Sequence, residues 1–259
     1  MTDLTEQDRQ LFHKEVESTN VDKTGKKSSV FSIAKVFAYM GIGLLITALV
    51  AFGVGAAVYY NFNFSETGSE EIANTYFIIL IASAIALFID MIVINLVVVR
   101  NKHSVLIPGI ISAVLVGVLF SMLTIAVDWR LLGMAFGVTV LAFFLMGLIA
   151  FLSKGSLQPL LIVIIGLTIG IALMVLVNWL FALITGTIMN GLYIGISIAI
   201  LALLMFVTIY DMWRIKKIAE SGAFSHNLSL YCAFIMYTDF INVFIRILYF
   251  LLIIFGKKK

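Results

Sequence analysis

Four ionisable side chains lie deep inside apolar stretches of this chain: Asp90, Asp211, Asp239 and Arg246. Charges within membrane spans are costly, and by default they mark an ion path, a proton relay or a counter-ion. Asp239, in Tyr237-Thr238-Asp239-Phe240-Ile241-Asn242, lies roughly 15 Å into its stretch at 1.5 Å per residue. A lone carboxylate at that depth must be protonated, paired, or facing a water-filled cavity. Arg246 follows two turns later on the same helix face, so an intrahelical ion pair is one reading. Asp211 closes the sixth stretch in Tyr210-Asp211-Met212-Trp213-Arg214, and the plain reading is an interfacial carboxylate one turn from Arg214. Both aspartates nevertheless fall in the same half of adjacent stretches. Where they meet, both cannot ionise cheaply, and a shared proton would make them a latch. Asp90, with Asn95 nearby, could line a cavity from the same side, as could Asn242 beyond Asp239. Arg100, ending the second stretch, offers a counter-charge to one of the carboxylates, or simply a snorkelling topology charge.

Other chemistries fit poorly. Intramembrane aspartyl proteolysis needs Gly-x-Gly-Asp in the second aspartate's helix, and here Met236-Tyr237-Thr238 precedes Asp239. His13, His103 and His226 all lie outside the apolar stretches, so no zinc cluster forms among them. No phosphate-cradling glycine loop is present. An enzyme is not expected, nor is a resident cofactor or metal. Cys232 is the sole cysteine, which excludes a disulfide framework. The net charge of +3 is carried at the edges of the stretches rather than in one patch, so nucleic acid is not an expected partner.

The elements that hold these residues follow from composition. Of 259 residues, 62% are hydrophobic and 12% charged, with a mean hydropathy of +1.13. A soluble domain carries about 25% charged residues, so this surface must face lipid. About 20 apolar residues cross a bilayer as a helix. Seven stretches suffice: about Val36–Tyr60, Ile72–Val99, Val105–Val127, Leu131–Leu152, Leu160–Leu183, Leu192–Tyr210 and Leu230–Phe255. The expectation is an all-α polytopic membrane protein. Residues 1–30 read as a disordered cytosolic tail without a cleavable signal, 31–256 as the membrane domain, and 257–259 as a basic end. Asp128-Trp129-Arg130 leaves only a tight turn between the third and fourth helices. The pairs Gly133/Gly137, Gly166/Gly170 and Gly191/Gly195 predict close packing between helices within the chain, with an oligomer face as the lesser reading.

Lys and Arg gather in the tail (Arg9, Lys14, Lys23, Lys26, Lys27) and in alternate loops (Arg100, Lys102; Lys154; Arg214, Lys216, Lys217). The opposite loops carry Glu66, Glu70, Glu71 and Asp128 with only Arg130. The positive-inside rule then places the N-terminus in the cytosol. Lys257-Lys258-Lys259 conflicts with this pattern, but the seventh stretch is long enough to cross.

Three segments carry a family resemblance. They are Gly41-Ile42-Gly43-Leu44-Leu45-Ile46-Thr47-Ala48-Leu49-Val50; Tyr210-Asp211-Met212-Trp213-Arg214-Ile215-Lys216; and Leu228-Ser229-Leu230-Tyr231 followed by Asp239-Phe240-Ile241-Asn242-Val243-Phe244. Over roughly Val36 to Gly256 the chain resembles the Bax inhibitor-1 (transmembrane Bax inhibitor motif) family. The resemblance implies seven transmembrane helices, with a central seventh wrapped by six. It also implies a bacterial-type member in the plasma membrane, acting as a pH-sensitive calcium leak channel. Asp211 and Asp239 would then form a hydrogen-bonded pair at the cytosolic mouth, with Arg100 helping to hold the closed state. Two departures stand out. Cys232 to Thr238 separate Leu-Ser-Leu-Tyr from Asp239, and the late arginine of the seventh helix has moved to Arg246, with Tyr249 at its usual place. The implied partners are the bilayer and calcium or another cation. The alternative function is a membrane interaction protein modulating stress response, cell death or a membrane protease, through a membrane protein partner.

Overall fold

Hydrocarbon offers a backbone N–H or C=O no partner, so each apolar stretch must close its own hydrogen bonds. The computed structural model, which describes residues 33–61, 69–100, 104–153, 155–186, 190–221 and 225–255, meets this requirement with seven long helices. They are α1 (Ile33–Asn61), α2 (Ser69–Arg100), α3 (Leu106–Ala126), α4 (Trp129–Leu152), α5 (Gln158–Thr185), α6 (Asn190–Glu220) and α7 (His226–Phe255). All seven are long and apolar enough to cross a membrane. The tail 1–30, the basic end 257–259 and the side chain of Arg100 lie outside the described residues.

The tight turn between α3 and α4 forms as expected. Asp128 caps α4, its carboxylate accepting from the Arg130 backbone N–H at 2.9 Å. The sixth helix departs from expectation. It does not end at Tyr210 but continues to Glu220, which places Asp211 inside the helix rather than at its edge. Charged pairs support the added turns: Lys217 lies 3.3 Å and Lys216 4.0 Å from Glu220. Lys216 also donates to the carbonyls of Phe151 and Ser153, both at 2.9 Å, and so satisfies the C-terminal end of α4. The seventh helix likewise starts earlier, at His226, and runs unbroken through Leu228-Ser229-Leu230-Tyr231 to Phe255.

α7 is the axis of the bundle. It carries the largest set of buried residues among the described helices, from Ser229 through Met236, Asp239 and Val243 to Leu248, while Asn242 and Ile245 mark a narrower exposed face. It packs against α4 and α6 most extensively, and also against α3 and α2. Met146, Met212, Met236 and Val243 are the fully enclosed centre of this packing. α5 stands apart. It packs on α6, and Ile171 is its one buried residue, so it forms an outer layer rather than part of the inner wall.

α1 joins the axis through hydroxyls. The Thr47 hydroxyl lies 3.0 Å from both the Gly43 and Ala113 carbonyls and 2.6 Å from Tyr237 Oη. Its single proton points to the carbonyls, so Tyr237 is the donor to Thr47. One hydroxyl thereby ties α1 to α3 and α7.

The glycine pairs Gly133/Gly137, Gly166/Gly170 and Gly191/Gly195 do not pack helices together within the chain. A Cβ at any of them would meet nothing within 4 Å. The close approaches lie elsewhere. A Cβ at Gly117 would sit 2.7 Å from Val50 Cβ and 2.9 Å from the Thr47 carbonyl, and one at Gly55 would strike Thr124 Oγ1. At Gly43 it would come to 3.2 Å from the Tyr237 ring. Small residues matter where hydroxyl-bearing helices meet, not where the spacing alone suggests.

Three substitutions test this packing. Gly117→Ala will destabilise the detergent-solubilised protein by about 1–3 kcal/mol through overpacking, despite a helix-propensity gain of about 1 kcal/mol. Gly170→Ala will be neutral or slightly stabilising, and thermal unfolding of the two variants checks both. Tyr237→Phe will lose about 1 kcal/mol, the usual worth of an interhelical hydrogen bond, read by the same assay.

Candidate functional site

Residues two apart on a helix point about 200° apart. Tyr237 and Asp239 therefore face opposite flanks of α7, and the structure uses both. Tyr237 turns to α1 and α3. Asp239 is buried, 8% exposed, on the flank within electrostatic range of Asp211 on α6. The field of Arg214 in turn reaches Asp211. The charge of Asp211 thus reaches Asp239, but the hydrogen-bonded pair that the resemblance implies does not form. Among the described residues no hydrogen bond or ion pair joins them, and Asp239 Oδ2 is buried with no hydrogen-bond partner.

Arg246 does not neutralise Asp239. It is half-buried, forms no ion pair among the described residues, and acts instead on Tyr249, whose ring meets Tyr193 of α6 edge-on at 6.3 Å. Two helical turns separate the two α7 charges by about 10 Å along the axis, too far for the arginine to fold back within its packing. The intrahelical pair does not form.

A second orphan lies on α6. Trp213 is buried, and its Nε1–H has no hydrogen-bond partner. Trp213 packs in the same core as Cys232, Met236 and Phe240 of α7. A buried donor and a buried acceptor without protein partners each carry a penalty of about 1–3 kcal/mol, more for a charged group. Such groups concentrate where a protein binds something or moves a proton.

Asp90 occupies a separate pocket of polarity. It is buried and accepts a short hydrogen bond from Ser112 Oγ, joining α2 to α3. Asn95 and Asn242 do not line an interior cavity with it. Both are exposed on the outside of the bundle, and the Asn95 amide is occupied by the Met91 carbonyl of its own helix at 2.8 Å. Among the described residues no three His, Cys, Asp or Glu side chains gather as a metal cage. A cation passing here would meet one or two carboxylates at a time.

The sequence reading passed over Thr47, Ser112, Trp213 and Tyr237. Neutral hydroxyls are hard to single out, because most of them bond their own helix: Thr139 to the Ala135 carbonyl, Thr208 to Leu204, Ser197 to Tyr193. The usable signal was the adjacency of Ser112 to the Ala113 carbonyl and of Tyr237 to Asp239, which only the bundle makes meaningful.

The arrangement buries one carboxylate on α7 and another between α2 and α3, and it sets Asp211 and Asp239 within electrostatic range across the α6–α7 seam. No curated protein matches this sequence. A family model does, described as Inhibitor of apoptosis-promoting Bax1, and it matches residues 31–257. With a membrane bundle built on a central seventh helix and a match that spans nearly the whole chain, the protein belongs to the Bax inhibitor-1 family.

Proposed function

We propose that the protein is a pH-sensitive leak for calcium or another cation, with Asp211 and Asp239 as its proton latch. The observation that carries this reading is the pair itself: two carboxylates on adjacent helices, one of them with a buried, unpartnered oxygen. With both ionised, α6 and α7 repel each other across a poorly solvated seam. With one proton held, the repulsion falls away and a hydroxyl donor becomes available to the neighbouring acid. Proton number at the pair therefore sets how closely α6 and α7 fit. Hard divalent cations favour oxygen ligands, and an ionised pair supplies them in the right place. Family membership supports a Bax inhibitor-like membrane protein; ion, gating and a cytosolic N-terminus in a bacterial plasma membrane are part of the proposal.

Purified protein in liposomes loaded with a calcium dye tests this. Flux should vary from mildly acidic to mildly alkaline pH, and Asp211→Asn or Asp239→Asn should flatten that variation by about tenfold, the factor that 1.4 kcal/mol of lost interaction carries. A pH profile unchanged in both variants overturns the latch. Absence of calcium flux at every pH overturns the channel.

A further inference from the structure

α3 and α4 are joined by the short turn at Val127–Asp128, yet they are not a closely packed pair. They splay apart around a cleft of about 490 Å³, walled on its far side by α1 and floored by Phe240, Ile241 and Phe244 of α7. That volume falls in the range of about 300–1,000 Å³ of ordinary ligand pockets. Its rim carries Phe52, Trp129 and Phe136, all exposed, so the cleft is open sideways on a bundle whose sides face lipid.

Chemistry narrows the occupant. The hydroxyls on the wall belong to Thr47 and Thr124, and both are engaged: Thr47 with Tyr237 and two carbonyls, Thr124 with the Ser121 carbonyl at 2.7 Å and the Ala51 carbonyl at 3.3 Å. Water would find few partners inside, and apolar cavities of this kind take apolar guests. At the mouth the character changes. The Arg130 guanidinium lies 5.7 Å from the centroid of the Trp129 ring, and Arg130 is exposed. Asp128 beside it is engaged in capping α4 and forms no ion pair with it among the described residues. Exposed Tyr59 and Tyr60 near the end of α1 share the same end of the bundle, as an aromatic belt at a membrane interface would. A dry slot below an interfacial cation has the polarity of one molecule: a phospholipid lying with its chain inward and its phosphate outward.

We propose that this cleft is a binding site for one bilayer phospholipid, an acyl chain between α3 and α4 against Phe240 and Phe244, and the phosphate on Arg130. The proposal does not rest on the aspartate latch or on any ion flux. Phe240 directly follows Asp239, so the bound chain presses on the turn of α7 that carries the deepest acid.

Gly133 supplies the test, because it lines the cleft and a Cβ there meets nothing within 4 Å. Gly133→Phe should fill the slot. Gly137→Phe, one turn along α4, has equal open space but lies off the cleft, and serves as the control. The probe is phosphatidylglycerol exchanged onto the full chain in detergent, counted by native mass spectrometry. Retention of one lipid by the wild type and by Gly137→Phe, with at least a tenfold loss in Gly133→Phe, is the expected result. Arg130→Gln should weaken retention severalfold and leave the thermal unfolding of the apoprotein unchanged. Equal retention in both glycine variants overturns the site. Retention of detergent or free fatty acid in place of phospholipid, or no effect of Arg130→Gln, overturns the assignment of the phosphate. If Gly133→Phe does not fold, Ala48→Leu on the opposite wall fills the same slot, and retention by that variant overturns the proposal.

Discussion

A carboxylate midway along a membrane helix can be kept only if protein surrounds that helix. Asp239 imposes this condition on α7, and the bundle is arranged around it. α4 and α6 pack on α7 most extensively, α1 reaches it through Thr47, and α3 and α2 touch it more lightly, so that Asp239 lies on its buried side while Asn242 and Ile245 stay exposed. α5, which carries no deep charge, is free to lie outside on α6. The close glycine approaches serve the same end. Gly43, Gly55 and Gly117 bring α1 down onto α3 and α7 until hydroxyls can bond across the gaps.

The two flanks of α7 treat polarity differently. On the Tyr237 flank the hydroxyls of Thr47 and Tyr237 are matched to each other and to the Gly43 and Ala113 carbonyls. On the Asp239 flank one carboxylate oxygen and one indole N–H are left without partners, in a core that is otherwise closely packed. Full satisfaction makes a rigid seam, and incomplete satisfaction makes a responsive one. The central helix is hydrogen-bonded to its neighbours on one side and incompletely so on the other.

Much of this was legible in the residues. Seven apolar stretches could only be helices once lipid was the solvent, and the charges within them had to be the unusual positions. Asp90, Asp211, Asp239 and Arg246 were singled out by cost, because an ionisable group within an apolar stretch is unfavourable where it stands, and the family resemblance joined Asp211 to Asp239. What stayed hidden has physical reasons. Asn95 and Asn242 looked like lining because amides are polar, yet an amide can satisfy itself on its own helix and face outward. The glycine pairs looked like packing surfaces because small residues permit contact, but permission is not contact, and their neighbours are absent. The end of α6 was misplaced because hydropathy falls from Asp211 onward, whereas the helix continues to Glu220 for as long as its carbonyls have donors. The splayed α3–α4 cleft depends on how large side chains of three helices fail to meet, and no single stretch of sequence records that.

The clasp of Lys216 on the last carbonyls of α4 anchors α6 near its C-terminal end. Asp211 lies only about 7.5 Å along the helix from that fixed point, whereas the far end at Asn190 lies about 39 Å away, at 1.5 Å per residue. Whatever field Asp211 and Asp239 exert across the α6–α7 seam therefore acts close to the point where α6 is anchored on α4, and far from the opposite membrane face.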